Sequence, residues 1–331
     1  MEGRELEEIC RRQRGVLSRS QALAAGLSSD AIRHRIRSGR WQRLAAGTYA
    51  TFSGEVRRSA LRWAAVLRAG PGAILTHQSA AAEIGLVHED GGAVHVAIPA
   101  ERRVARLPGM VVHRSAHVNV RRHPTRMPPQ TRVEETVLDL AAGAGSLDDA
   151  VVWIAMACGR RLTTRDRLAR ALRRRTRVSG RGDLRRLLDD VGQGCHSVLE
   201  WRYLRDVERA HGLPEATRQW RSRRLGRSSY DDVRYADYGV RVELDGRAAH
   251  PEEARWRDLR RDNAATQEGD VVLRYGFADV SERPCAVASQ VAVVLRRNGW
   301  PGKDRPCGVS CGIPRGGDCE PTNRERYPQG V

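Results

Sequence analysis

Asp232, Glu243, Asp245 and His250 combine the residue types and spacing best suited to chemistry. Glu243 and Asp245 lie in "VRVELDG", residues 240–246, where Val240, Val242 and Leu244 alternate with Arg241, Glu243 and Asp245. A period of two marks a strand with one buried face. Acids form strands poorly and repel one another across a single face. Asp232 stands eleven positions ahead of Glu243, on the preceding strand, and a hairpin turn around 235–239 brings the two strands together. Three carboxylates meeting at one sheet edge suit Mg²⁺, with Mn²⁺ as a substitute, because a hard ion takes few carboxylates and keeps waters and phosphate oxygens. Without a cation the cluster is strained by like-charge repulsion. His250 follows Gly246 on the turn leaving the strand. Its ring titrates near working pH and suits water activation or protonation of a leaving oxygen.

The elements that must hold these groups are legible around them. "SVLEWRYLRDVERAHG" reads as a helix with Ser197 as N-cap and Glu200 at N3, a capping box. "TRQWRSRR" and "YDDVRYAD" read as strands, "PEEARWRDLRRDNAATQEG" as a helix opened by Pro251, "DVVLRYGF" as a strand and "PCAVASQVAVVLRRNG" as a closing helix. Singly, each acid has an ordinary reading: Asp232 as a turn acid, Glu200 as a cap residue, His250 as a polar group at a helix start. Together, at this spacing, they favour a site.

The chain of 331 residues suits two or three domains. Its formal charge is +18, from 58 basic and 40 acidic residues, which favours a polyanionic partner, most simply DNA. Aromatics at 5% give RNA stacking no signature. No run reaches the roughly 18 apolar residues of a membrane span, and the charged "MEGRELEEIC" lacks a secretory core. Seven scattered cysteines suit reduced thiols in a cytoplasm. Cys307, Cys311 and Cys319 cluster without C-x-x-C spacing or a nearby His, so the segment from Pro301 is expected to be a disordered tail rather than a zinc site.

The first 55 residues read as a winged helix-turn-helix. "SRSQALAAGL" has Ser18 or Ser20 as cap and Gly26 as stop, and "SSDAIRHRIRSG" has Ser28 or Ser29 as cap and Gly39 as stop. "WQRLAAGTYAT" supplies the wing. Arg33, Arg35, Arg37, Arg40 and Arg43 make the second helix and wing basic, as major-groove insertion requires. Residues 56–145 alternate helices and strands, with "AVHVAIP" and "GMVVHRS" as strands and Thr131 as cap of "TRVEETVLDLAA". Residues 146–192 read as a helical connector, with twelve arginines between Arg160 and Arg186.

Two resemblances follow from these residues. "GVLSRSQALAAGLSSDAIRHRIRSGRWQRLAAGTYA" resembles the winged helix of AbiEi-like type IV antitoxins, and the resemblance extends over roughly the first 140 residues. That resemblance implies autoregulatory DNA binding without catalysis, and a cognate toxin or a second copy as further partner. Residues 193–299, with "E-x-D-G-x-x-x-H", "D-x-x-R-x-x-x-A-x-x-x-G" and "VLRYGFADV", resemble a domain related to the very-short-patch mismatch endonucleases of the PD-(D/E)XK superfamily. This implies a restriction-endonuclease-like α/β/α domain and an Mg²⁺-dependent endodeoxyribonuclease. Asp232 then matches the metal-binding Asp, Glu243 the second acid, His250 a catalytic histidine and Glu200 a supporting ligand. Asp245 departs from the superfamily's usual Lys. The expectation is a mixed α/β, DNA-binding protein with an endonuclease-like domain; the rival is a non-catalytic autoregulator using that fold as scaffold.

Overall fold

The computed structural model describes residues 2–88, 91–105, 108–176, 178–192, 197–224, 227–245, 270–309 and 311–313. The chain is mixed α/β and divides into two compact units, Met1–Leu188 and Asp189–Val331. Among the described residues no helix is long and apolar enough to cross a membrane.

The first unit opens with helix α1 (Glu2–Arg12), strand β1 (Val16–Ser18), helices α2 (Arg19–Ala24) and α3 (Ser29–Arg37), and strands β2 (Gln42–Ala45) and β3 (Thr48–Ala50). The strands form an antiparallel sheet in the order β1-β3-β2. Of the paired cap candidates, Ser18 closes a capping box with Gln21, and Ser28 accepts from the Ala31 N–H. Leu17, Ala22, Ile32, Trp41 and Tyr49 form the core beneath. Each large apolar side chain buried here stabilises the unit by roughly 1.5–3 kcal/mol.

Helix α4 (Arg58–Ala69), β4 (Ile74–Leu75), α5 (His77–Glu83), β5 (Val94–Pro99), β6 (Met110–Ser115), α6 (Val118–Arg121) and α7 (Val133–Ala142) follow. Their sheet has the order β4-β5-β6, with β5 and β6 parallel. Thr131 does not cap α7. Arg132 occupies that position, and the Thr131 hydroxyl instead meets that of Thr136 at 2.6 Å.

Helices α8 (Leu147–Gly159), α9 (Arg165–Arg174) and α10 (Arg181–Gly192) occupy the stretch read as a connector. They bury Val151, Ile154, Leu168 and Leu187. Arg175, just past α9, forms ion pairs with Glu135 at 2.7 Å and Asp139 at 3.0 Å on α7. Apolar burial and ion pairs thus pack α8 and α9 against α7.

The second unit begins with α11 (Val198–Arg202), capped by Ser197 and continued by a π-helical turn, Tyr203–Arg209. Strands β7 (Thr217–Arg224), β8 (Arg227–Tyr235), β9 (Val240–Asp245) and β10 (Val271–Gly276) follow, then α12 (Phe277–Glu282) and α13 (Pro284–Arg297). The sheet order is β10-β9-β8-β7, with β9–β10 parallel and the other pairs antiparallel. Gly239 turns the chain between β8 and β9 in the left-handed region, at φ 58°. Val233, Tyr235, Val240, Val242, Leu244 and Tyr275 join Tyr203, Val207, Val287, Val291 and Leu295 in one core.

The segment after Pro301 departs from the expected disorder as far as Ile313. Ile313 is buried, the Arg305 N–H donates to the His211 carbonyl at 2.8 Å, and Arg296 pairs with Asp304 at 2.6 Å. Its lack of apolar periodicity reflects an irregular strap held by side chains. The expected helix after Pro251 and residues 314–331 lie outside the described residues.

Candidate functional site

Alternation on β9 decides where its acids point. Val240, Val242 and Leu244 face the core, so Arg241, Glu243 and Asp245 share the opposite face. The β8–β9 ladder runs to the pair Val233–Val242, and Asp232 and Glu243 are the next residues on the two strands. Asp232 Oδ2 accepts the backbone N–H of Leu244 at 2.8 Å, which holds its carboxylate against β9. Asp232, Glu243 and Asp245 are all partly exposed. The structure therefore brings the three sequence-selected acids to one face of two adjacent strands. His250 lies outside the described residues. Glu200 is buried on α11, where its Oε1 accepts the Ser197 hydroxyl at 3.1 Å and its N–H donates to Ser197 Oγ at 3.1 Å. Those contacts are its capping role.

Arg274 has no counterpart among the residues that the sequence singles out. It stands opposite Glu243 in the parallel β9–β10 register, and its Nη1 lies 3.6 Å from Asp245 Oδ2. Two steps back on the same face, Arg241 is buried and paired with Asp270, which Arg234 also reaches at 3.6 Å. The face thus alternates acids and guanidiniums. Such a face can take a divalent ion on its oxygens or a phosphate on its arginines. The three carboxylates are not drawn into a tight ligand set. Among the described residues, ligand atoms gather within 4.8 Å of one another in two other groups: His77, His95 and His113 in the first unit, and a cysteine–histidine group in the second.

The histidine group lies where α5, β5 and β6 meet. His77 and His113 stack at 4.1 Å, and His95 Nδ1 lies 3.1 Å from His113 Nε2. Burial, the largest influence, pushes His77 down to about 4, against the pull of Asp139. His77 and Asp139 line a cavity of about 990 Å³ with Arg121, Arg132, Glu135 and Arg175. Nothing in local sequence spacing joins these residues; the parallel β5–β6 pair and α5 do.

The winged helix presents a second candidate surface. Ile32 is buried and Ile36 packs against it, so Arg33, His34 and Arg37 are left exposed on the outer face of α3. Arg40 and Arg43 are exposed on the turn and β2. Arg33 pairs with Asp30, yet both side chains are mostly exposed, and such a pair yields readily to another anion. Arg35 behaves differently from the other four selected arginines. It is half-buried, its guanidinium lies 5.6 Å over the Trp41 ring, and it donates to the Ala31 carbonyl at 3.4 Å. It fastens α3 to the start of the wing.

Residues 4–51 match the family model described as a transcriptional regulator, AbiEi antitoxin. The matched stretch is this winged helix from α1 to β3, shorter than the roughly 140 residues over which the resemblance is drawn. No curated protein matches the chain. Among solved structures, the chain is similar to the crystal structure of the RV2827C protein from Mycobacterium tuberculosis. Identity is 20%, coverage is 57% of this chain and 76% of that one, and the TM-score is 0.39.

Proposed function

We propose that the chain is a DNA-binding transcriptional regulator of the AbiEi antitoxin type, acting through α3 and the wing. One observation carries the reading. Arg33, Arg37, Arg40 and Arg43 are exposed together on a helix and wing whose opposite face is locked into a core. A chain of charge +18 adds long-range attraction to the phosphate backbone. The partners of this reading are DNA and either a cognate toxin or a second copy of the chain. Fluorescence anisotropy with DNA from upstream of its own gene, against a shuffled competitor over a salt series, tests it. Tighter binding to the upstream fragment is expected; equal and weak binding to both would remove the reading.

A second reading has its own observation, the shared face of Asp232, Glu243 and Asp245 beside Arg274. Residues 193–299 on this reading form a restriction-endonuclease-like domain that hydrolyses DNA phosphodiesters. The donors are hard carboxylate oxygens and fit Mg²⁺ or Mn²⁺ in kind. A bound ion supplies Lewis-acid polarisation of a phosphoryl oxygen. Arg274 offers a permanent cation to a non-bridging oxygen, on the strand beside the position where the resembled superfamily usually carries Lys. Asp245 holds that guanidinium in place, His250 serves as acid–base group, and Glu200 supports the acids from α11. Incubation of supercoiled and mismatched DNA with the purified chain, with Mg²⁺ or Mn²⁺ and with EDTA, decides it. Metal-dependent nicking is expected, and intact DNA under every condition would leave the regulator alone.

A further inference from the structure

Four side chains from three separate parts of the second unit meet at one point. His211 ends the first helical stretch and is fully buried. Cys285 is the second residue of α13, and Cys307 and Cys311 belong to the irregular strap after Pro301. One ligand atom from each lies within 4.8 Å of all the others. Cys285 Sγ and Cys307 Sγ are 3.7 Å apart, and Cys311 Sγ lies 3.6 Å from His211 Nε2.

Those separations discriminate between the chemistries open to clustered thiols. A disulfide needs its sulfurs at about 2.05 Å. Tetrahedral zinc, with Zn–S of about 2.3 Å and Zn–N of about 2.0–2.1 Å, spaces its ligands at roughly 3.8 Å between sulfurs and roughly 3.6 Å between sulfur and nitrogen. The two separations found here fall on the second pattern. His211 is also prepared for the role. Its Nδ1 lies 3.1 Å from the Val207 carbonyl, so Nδ1 carries the proton and Nε2 presents its lone pair toward Cys311. This carbonyl-anchored tautomer is the arrangement that orients metal-ligating histidines. Cys285 stands in the first turn of α13, which fixes its position beside the strap.

We propose that His211, Cys285, Cys307 and Cys311 hold a structural Zn²⁺ ion. Three thiolates and one imidazole close all four positions, which leaves no open site for substrate. Sulfur donors do not suit a hard ion such as Mg²⁺, so this proposal does not depend on the nuclease reading of the sheet face. The ion explains a packing problem. Residues 301–313 contain no helix or strand among those described, yet Cys311 packs on the core and Ile313 is buried in it. Arg305 crosses directly over Gly212, 3.1 Å from where a Cβ would sit, and Gly212 has a φ of +68°. Gly212 thus lets the strap lie close beside His211. Zinc would clamp this strap to the first helix and α13, both of which cover the apolar face of the sheet.

The full chain, produced in zinc-containing medium and purified under reducing conditions without chelator, should carry one zinc by elemental mass spectrometry. Cys285→Ser and Cys307→Ser should each lose it, whereas Cys158→Ser and Cys319→Ser should keep it. Should a ligand variant be insoluble, Co²⁺ titrated into chelator-stripped wild type decides instead. One equivalent should produce an intense thiolate-to-cobalt charge-transfer band with tetrahedral ligand-field bands. Wild type free of zinc, a Cys285–Cys307 disulfide in mass mapping, a weak octahedral Co²⁺ spectrum, or zinc retained by both ligand variants would each overturn the proposal.

Discussion

Arg274 lies directly across from Glu243 in the parallel register of β9 and β10, and its guanidinium reaches Asp245 at 3.6 Å. Asp245 is 45% exposed and Arg274 28% exposed, so solvent screens their attraction. An exposed pair of this kind contributes only about 0–1 kcal/mol. Arg274→Gln should therefore leave thermal stability almost unchanged. On the nuclease reading it should lower the rate of metal-dependent cleavage, with Arg274→Lys recovering part of it. Equal cleavage by wild type and Arg274→Gln would show that this guanidinium does not touch the scissile phosphate.

The acids make a complementary prediction. Glu243→Gln and Asp232→Asn keep shape and hydrogen-bonding capacity while removing a charge from a crowded face. An Asn at 232 retains an acceptor for the Leu244 N–H. Both variants should lose cleavage with little change in stability, because Arg274 beside the acids already offsets their mutual repulsion. His250→Ala should keep metal binding and slow only the reaction, by roughly the 10²–10⁴-fold typical of a lost acid–base group. Mg²⁺ should raise the melting temperature of wild type but not of Glu243→Gln, since a bound ion stabilises the native state by mass action. An equal rise in both would place the ion elsewhere.

The arginines of the winged helix separate into two kinds. Arg33→Ala and Arg37→Ala should each weaken DNA binding and reduce the log–log salt slope by about 0.9 for every phosphate the side chain had neutralised. Arg35→Ala should instead destabilise the fold by about 0.5–1 kcal/mol, the worth of its stacking on Trp41, without changing that slope. Binding isotherms at several salt concentrations, paired with urea melts, check both. A slope unchanged in Arg33→Ala and Arg37→Ala would point to a protein-contact module.

Alternation and cap residues make most of this architecture readable from sequence. The strands 217–224, 240–245 and 271–276, the Ser197 cap and the two short helices of the winged unit all have local causes in the sequence. Asp232, Glu243 and Asp245 can be placed on one face because a strand's period of two is local as well. Arg274 cannot, since its partnership with Glu243 arises from a parallel pair between strands distant in sequence, whose register no local pattern reveals. The same holds for His211 with Cys285, Cys307 and Cys311, since His211 stands far ahead of all three cysteines in sequence and meets them only after folding. Arg35 departs from its expected surface role for a different reason. An arginine beside a helix's buried stripe can lay its stem and guanidinium over an aromatic ring and leave the solvent face to its neighbours.

Arg175 tests how far the arginine-dense helices belong to the first unit's core. It meets Glu135 at 2.7 Å and Asp139 at 3.0 Å, and all three side chains are at most 13% exposed. Removing one partner from a buried ion pair costs about 3–5 kcal/mol where the other charge is left alone. Arg121 still pairs with both Glu135 and Asp139, so Arg175→Ala should lower the stability of the first unit by less, about 1.5–3 kcal/mol for its hydrogen bonds to charged groups, read from urea unfolding. Arg167→Ala, on an exposed position, should change it by less than about 0.5 kcal/mol. Equal small effects would return this stretch to a mere connector.

His77 predicts a pH dependence with a defined sign. Burial is the largest cause of its lowered pKa of about 4, with His113, His95 and Arg121 pushing the same way and Asp139 opposing. Above about 6.5 the ring is neutral in both the folded and unfolded chain, so its contribution to stability does not vary. Between about 6.5 and about 4 the unfolded chain takes up a proton that the folded chain refuses. Stability should therefore fall as pH falls through this window, and level off below the folded value. The limiting slope is about 1.4 kcal/mol per pH unit, and partial exposure of the ring narrows the window over which it acts. Asp139 acts in a lower range. Burial raises its pKa, but Arg175 and Arg121 outweigh burial and hold it below the usual carboxylate value, so its stabilisation is lost only as pH drops through that depressed value. His77 adopts a positive φ of 49°, a conformation that Asn tolerates well. His77→Asn should accordingly fold, and between pH 6.5 and 4.5 its melting temperature should fall less steeply than that of wild type. Parallel curves for the two proteins across that window would mean that His77 keeps its ordinary titration in the fold.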